Sequence, residues 1–281
     1  VLKSLVLRGA GAGALAGLIT FLYARIFAEP LVQASIDYEG ARSEALHAIA
    51  MAAGHHPEAE EGEVFSRAFQ MNVGLGVGLI LFGVAVGVFY AVAYGLAWGR
   101  VGRWQPKTLA LLVALGGFVT LFLVPFLKYP TNPPAVGHHE TISARTGLYL
   151  IMVLGAVAFA LVSIWLGRRL AERLGNWNAG VVGVACFVVL CGLLMAVLPA
   201  LGHLPANVEV YGNLATETPQ PVRDAQGALV LPGFDADLLY NFRLQAVLGS
   251  ALLWTVLALA FAPLAERVLR TDDRAVTTAS S

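Results

Sequence analysis

The sequence predicts an all-α, polytopic integral membrane protein with six transmembrane helices and both termini cytoplasmic. Three observations predict it. Hydrophobic residues make up 58% of the 281 and charged residues only 13%, a balance far from ordinary globular usage. The apolar residues come in blocks, and six blocks are long enough for a hydrocarbon core of about 30 Å, which takes roughly 20 helical residues. Lysine and arginine sort unevenly between alternate loops. Lipid offers backbone groups no hydrogen bonds, so blocks of this kind must be helices. The whole of 1–281 reads as a single membrane domain.

The first span, 5–27, follows Lys3 and Arg8. Its apolar region is too long for a signal peptide's, and five more spans follow, so it reads as a retained helix. The loop 28–70 opens with a short helix beyond Pro30 that ends near Gly54. Glu44, His47 and Met51 share one face of it at spacings of three and four. The run HHPEAEEGE at 55–63 has almost no apolar content and is expected to be flexible. Span two, 71–98, carries small residues at every fourth position (Gly83, Gly87, Ala91, Gly95, Gly99), and span one does the same with Gly9, Gly13 and Gly17. Such stripes let helix backbones approach closely; whether the partner helix belongs to this chain or another stays open.

Span three, 109–127, follows a short basic link, and the loop 128–146 begins KYPTNPPAVGHHE. Its prolines fix φ and bias their predecessors toward extended geometry, so 128–137 should be stiff and non-helical. Lys128, Asn132, Glu140 and Arg145 are close enough in sequence to clamp neighbouring helices. Spans four and five, 147–166 and 179–201, flank a second basic link, and the loop 202–243, rich in Pro, Gly and Asp, leads into span six at 244–264. The tail 271–281 reads as disordered. Cys186 and Cys191 lie five apart in span five, and buried thiols rather than a disulfide are expected.

Charge orients the chain. The termini and the two short links hold 11 basic and 4 acidic residues, the long loops 7 basic and 14 acidic. The positive-inside rule therefore places both termini in the cytoplasm. The zero net charge hides about +7 on one face and −7 on the other, which concentrates cations at the outer surface. All six histidines fall on that outer side.

Chemistry-bearing motifs are few. There is no Walker A run, His-Glu-x-x-His helix or Gly-x-Ser-x-Gly elbow, and nothing marks an enzyme or a nucleic-acid binder. The span cores hold no Asp, Glu, Lys, Arg or His, which weighs against a proton relay or a bis-histidine haem. The best ligand material is outside: His55 and His56 with Glu58, Glu60 and Glu61, imidazole and carboxylate donors suited to divalent first-row ions. His47, His138 and His139 are further candidates. For each, a merely polar loop or helix surface is the competing reading.

FLKYPTNPPAVG followed by ETISARTGLYL resembles the signature of the CbtA family of cobalt transporter subunits. The patch DYEG, the entry FSRAFQMNVGLGVG to span two and the approach DLLYNFRL to span six are similar to the same family, and the resemblance covers nearly the whole chain. It implies a membrane subunit for uptake of cobalt (or a similar divalent ion) in the bacterial inner membrane, with Co²⁺ as cargo and no permanent cofactor. A small single-span CbtB-like partner is also implied. The motif residues would be Lys128, Tyr129, Pro130, Asn132, Pro133, Pro134, Gly137, Arg145 and Arg243. The alternative is a non-transporting interaction or assembly protein that uses its glycine stripes to hold a larger complex.

Overall fold

The computed structural model describes residues 2–54, 65–102 and 104–279. The long helices are α1 (Leu2–Ala52), α2 (Arg67–Ala97), α3 (Pro106–Lys128) and α4 (Ile142–Val197). A short α5 (Pro205–Tyr211), a hairpin of β1 (Val222–Arg223) and β2 (Leu229–Leu231), and a long α6 (Ala236–Ala279) follow. Among the described residues, five helical stretches are long and apolar enough to cross a membrane.

The fourth of these is bent back on itself. A straight helix of 56 residues would be about 84 Å long, far more than a bilayer needs. Gly175 breaks it, with φ 75° and ψ 160°, a conformation open essentially to glycine alone. The arm 176–197 then returns along the arm 142–174. A Cβ placed on Gly183 would lie 3.1 Å from Ser163 O, and one on Gly167 would lie 3.3 Å from Ala179 O. Met152, Ala156 and Cys191 are buried together between the arms. Both cysteines are free thiols.

Proline shapes two of the other helices. Pro30 and Pro125 have no N–H to give the carbonyl four residues earlier. Each is preceded by a wider, π-type turn, Ala24–Ala28 in α1 and Phe118–Leu123 in α3. The carbonyl that Pro125 leaves without its donor is that of Leu121, and the Tyr149 hydroxyl donates to it at 3.3 Å. The helix expected beyond Pro30 is present as Glu29–Ala52, and it continues the first span's helix without a break. The tail expected to be disordered is helical through Ala279; neither glycine nor proline follows Pro263 to stop it.

The chain divides into two compact units. One takes the residues through Pro30, the stretch that ends at Phe118 and the chain from Gln245 onward. Within it α1 and α2 pack along their glycine stripes. A Cβ on Gly83 would sit 2.9 Å from Gly17 Cα, and one on Gly87 would sit 2.9 Å from Gly13 Cα. The two stripes are therefore each other's partner. Gly99 does not extend the stripe; it lies past the end of α2 with φ 71°, a helix-terminating role.

The core of this unit is aromatic. The buried rings of Tyr90 and Tyr94 meet Phe261 edge to face at 5.0 and 5.2 Å. Their hydroxyls donate to the carbonyls of Ala110 (2.7 Å) and Pro106 (3.2 Å), so neither of these two phenols is buried without a partner. Near one end Glu266 receives Lys107 at 3.1 Å and Arg270 at 2.8 Å. Elsewhere in the unit Arg67 pairs with the buried Glu29, Tyr23 bonds Gln245, and Arg25 Nε donates to Asn72 Oδ1 at 3.0 Å.

The second unit comprises residues from Leu31 into the first loop and from Val119 to Leu244. It contains the α4 hairpin, the 128–141 strap and the loop 202–243. The helix after Pro30 is fastened to that loop by Tyr38 and Arg42. The Tyr38 hydroxyl donates to Pro232 O at 3.2 Å, Arg42 Nη1 donates to Gln220 O at 2.7 Å, and the Tyr38 ring stands edge-on to Phe234 at 5.0 Å.

Candidate functional site: a clamped proline strap

The strap starts where α3 ends. Lys128 sits 5.8 Å from the centroid of the Tyr129 ring, and the buried Tyr129 donates its hydroxyl to Pro199 O at 2.8 Å. Burial pushes the Tyr129 phenol's pKa up from its ordinary value. Pro130 and Thr131 line a cleft of about 370 Å³ together with Tyr129, Ile142, Arg145 and Tyr149. Pro133 to Val136 form a reverse turn closed by Val136 N to Pro133 O at 3.3 Å. Pro134 fixes φ at the second position and Ala135 takes φ 69° at the third, the type II pattern. Gly137, at φ 94°, ends the turn, and its amide donates to the Glu217 carbonyl at 3.0 Å.

Glu217, from the loop 202–243, is the hub. Its Oε2 accepts from Asn132 Nδ2 at 3.1 Å, and its Oε1 faces Arg145 Nε at 3.6 Å as an ion pair without a hydrogen bond. Arg243, one residue inside the unit's end, donates through Nη2 to Asn132 Oδ1 (2.7 Å) and through Nε to Thr131 O (3.3 Å). Asn132 thus gives and receives at once, which is what a planar amide offers and a carboxylate does not. Space is tight: a Cβ on Gly137 would sit 2.7 Å from Arg145 Nη1.

This arrangement brings together most of the expected motif residues: Tyr129, Asn132, Pro133, Pro134, Gly137, Arg145 and Arg243. It replaces the expected acid, since Glu140 is exposed while Glu217 occupies the clamp. No local signal in the sequence marked Glu217, which lies 85 residues from Asn132. Two guanidinium groups around one carboxylate leave the clamp locally positive, so its charge favours holding the chain together over holding a cation.

The candidate ligand residues are spread out. His138 turns its carbonyl to Thr141 Oγ1 at 2.6 Å, and its ring stands 5.8 Å from that of Tyr211. Burial pushes the Tyr211 phenol up, with Arg42 pulling the other way and Tyr38 and Glu217 pushing further. His139 is exposed, and His47 is half-buried on the helix after Pro30. Among the described residues, no three His, Cys, Asp or Glu side chains converge as a metal site. His55, His56, Glu58, Glu60 and Glu61 lie outside the described residues.

Long apolar helices, a helical hairpin and a polar clamp at the helix ends define a multi-pass α-helical membrane protein. Comparison with known families sharpens that class. Residues 2–266 match the family described as "Probable cobalt transporter subunit (CbtA)", and the chain belongs to it. No curated protein and no solved structure gives a significant match.

Proposed function

We propose that this chain is the membrane subunit of a cobalt uptake system in a bacterial cytoplasmic membrane. It collects Co²⁺ at the loop bearing His55, His56, Glu58, Glu60 and Glu61 and passes it inward beside a small single-span partner of the CbtB kind. The observation that carries this reading is the family match over 2–266. The His/Glu run and the acidic balance of the long loops support the capture step, because weak, exchangeable donors on a negative surface gather a dilute cation and release it. His47 is a secondary donor in this scheme, and His138 and His139 are not needed for capture.

The proposed topology has six crossings in one membrane domain, with both termini cytoplasmic. Support comes from the Gly175 break, whose two arms each run long enough to cross, and from the basic residues at 100–107 and 168–173. The clamp around Glu217 serves as a rigid rim that fixes the ends of α3, α4 and α6. The assembly-protein reading has lost its main ground, because the glycine stripes of α1 and α2 are used on each other.

The test is uptake of labelled cobalt in cells lacking other cobalt transporters, with this chain alone, with its single-span partner and with neither. Uptake that depends on the chain, and falls when His55 and His56 are replaced by alanine, is expected. No uptake in any combination refutes the transport role. Uptake that ignores the histidine changes refutes capture at that loop.

A further inference from the structure

We propose that the face of α4 from Leu161 to Arg173 binds the headgroup of an anionic phospholipid, with an acyl chain laid along its apolar half. A cavity of about 530 Å³ lies against this face, lined by Leu161, Ile164, Trp165, Arg168, Arg169 and Glu172. These positions recur at intervals of three and four, so they form one helix stripe. The stripe is graded. Leu161, Ile164 and Trp165, at 64%, 49% and 55% exposed, form a bare apolar floor. Arg168, Arg169 and Arg173 follow within two turns and carry three positive charges against the single carboxylate of Glu172.

Trp165 marks the boundary between the two halves. The Arg169 guanidinium lies 5.0 Å from the centroid of its ring, a cation–π contact that holds the charge over the membrane-facing aromatic. The chain turns at Gly175 just beyond, and Trp177 there is 82% exposed. Exposed tryptophans beside arginines are the composition of a headgroup layer, where the indole sits at the interface and the guanidinium takes phosphate oxygens in pairs. A soluble anion would satisfy the arginines but leave the apolar floor wet; a lipid satisfies both. In the topology proposed above, this is the cytoplasmic leaflet, where anionic lipid and basic residues attract one another.

Purified full-length chain, in mixed micelles, is titrated with phosphatidylglycerol or phosphatidylcholine and bound lipid is counted by native mass spectrometry. Wild type should prefer phosphatidylglycerol. Arg168→Ala/Arg169→Ala should weaken that binding by roughly 25-fold, since each basic residue near an anionic surface is worth about fivefold. Glu172→Gln, which leaves both arginines in place, should tighten it by about threefold, and it decides the matter if the double variant does not fold. Equal retention of the two lipids overturns the proposal and leaves the patch to an acidic segment of a partner chain. Competition by free glycerol phosphate at the same concentration overturns the acyl-chain half of the site.

Discussion

Removal of the Glu217 carboxylate tests the clamp most directly. Glu217→Ala deletes the acceptor of Asn132 Nδ2 at 3.1 Å and the partner of Arg145 Nε at 3.6 Å, while the backbone bond from Gly137 to the Glu217 carbonyl survives. A charge pair at 3.6 Å is worth about 4–5 kcal/mol at an effective dielectric of 20, before desolvation is counted. Arg145 is 25% exposed and Glu217 11%, so partial solvation and the absence of a hydrogen bond on Oε1 reduce that to about 1–2 kcal/mol. The bond from Asn132 to a charged acceptor adds about 1.5 kcal/mol. Together the loss is about 3 kcal/mol, which lowers the unfolding midpoint of a chain this size by roughly 6–12 °C. Glu217→Gln keeps an acceptor for Asn132 and should lose only about half as much. Thermal unfolding in detergent gives the midpoint, and trypsin cleavage after Lys128 reports release of the strap. If Glu217→Ala unfolds within about 1 °C of wild type and exposes Lys128 no faster, the clamp is not a stabilising element and the reasoning fails.

Four further outcomes are expected. Gly87→Ala should cost about 1–3 kcal/mol through overpacking, because its Cβ would meet Gly13 Cα at 2.9 Å; Gly11→Ala, with nothing within 4 Å, should leave the midpoint unchanged or raise it. Gly175→Ala should destabilise by about 1–3 kcal/mol, since only glycine takes φ 75° with ψ 160° readily, and its yield of folded protein should fall accordingly. Tyr149→Phe removes the donor to the Leu121 carbonyl and should lower stability by about 1 kcal/mol, read from the same thermal curves. His138→Ala/His139→Ala should leave cobalt uptake at limiting cobalt unchanged, because among the described residues no three His, Cys, Asp or Glu side chains converge around either of them.

What the sequence made legible follows from the range of each signal. Span positions depend on runs of apolar residues; helix covers the predicted segments except at Trp98 and at 198–200, and among the described residues five helical stretches are long and apolar enough to cross a membrane. The stripes Gly9–Gly13–Gly17 and Gly83–Gly87–Ala91 were visible as spacing, but spacing carries no partner; only the packed backbones show that the stripes meet each other. The stiff strap was visible in Pro130, Pro133 and Pro134, since proline restricts φ wherever it stands. The hub was not. Glu217 belongs to a loop without apolar period, and its partners Asn132 and Arg145 precede it by 85 and 72 residues. Nothing in its immediate neighbours distinguishes it from the other 13 acids of the long loops.

That difference also separates framework from ligand handling in this family member. A transporter needs groups that release the ion as well as groups that keep their places, and the two demands favour opposite environments. Asn132, Glu217, Arg145 and Arg243 are linked by two hydrogen bonds and one ion pair across segments that are far apart in sequence. A cation entering it would have to displace a guanidinium from a partly buried carboxylate, a costly exchange. His55, His56 and their glutamates stand in a run with almost no apolar residue, and imidazole and carboxylate donors suit a divalent first-row ion. On the proposed function, the strap motif is the rim of the protein and the His/Glu run the part that would meet cobalt. Exchanging the strap's histidines should be silent where exchanging His55 and His56 is not, and the opposite pattern would place the ion at the rim.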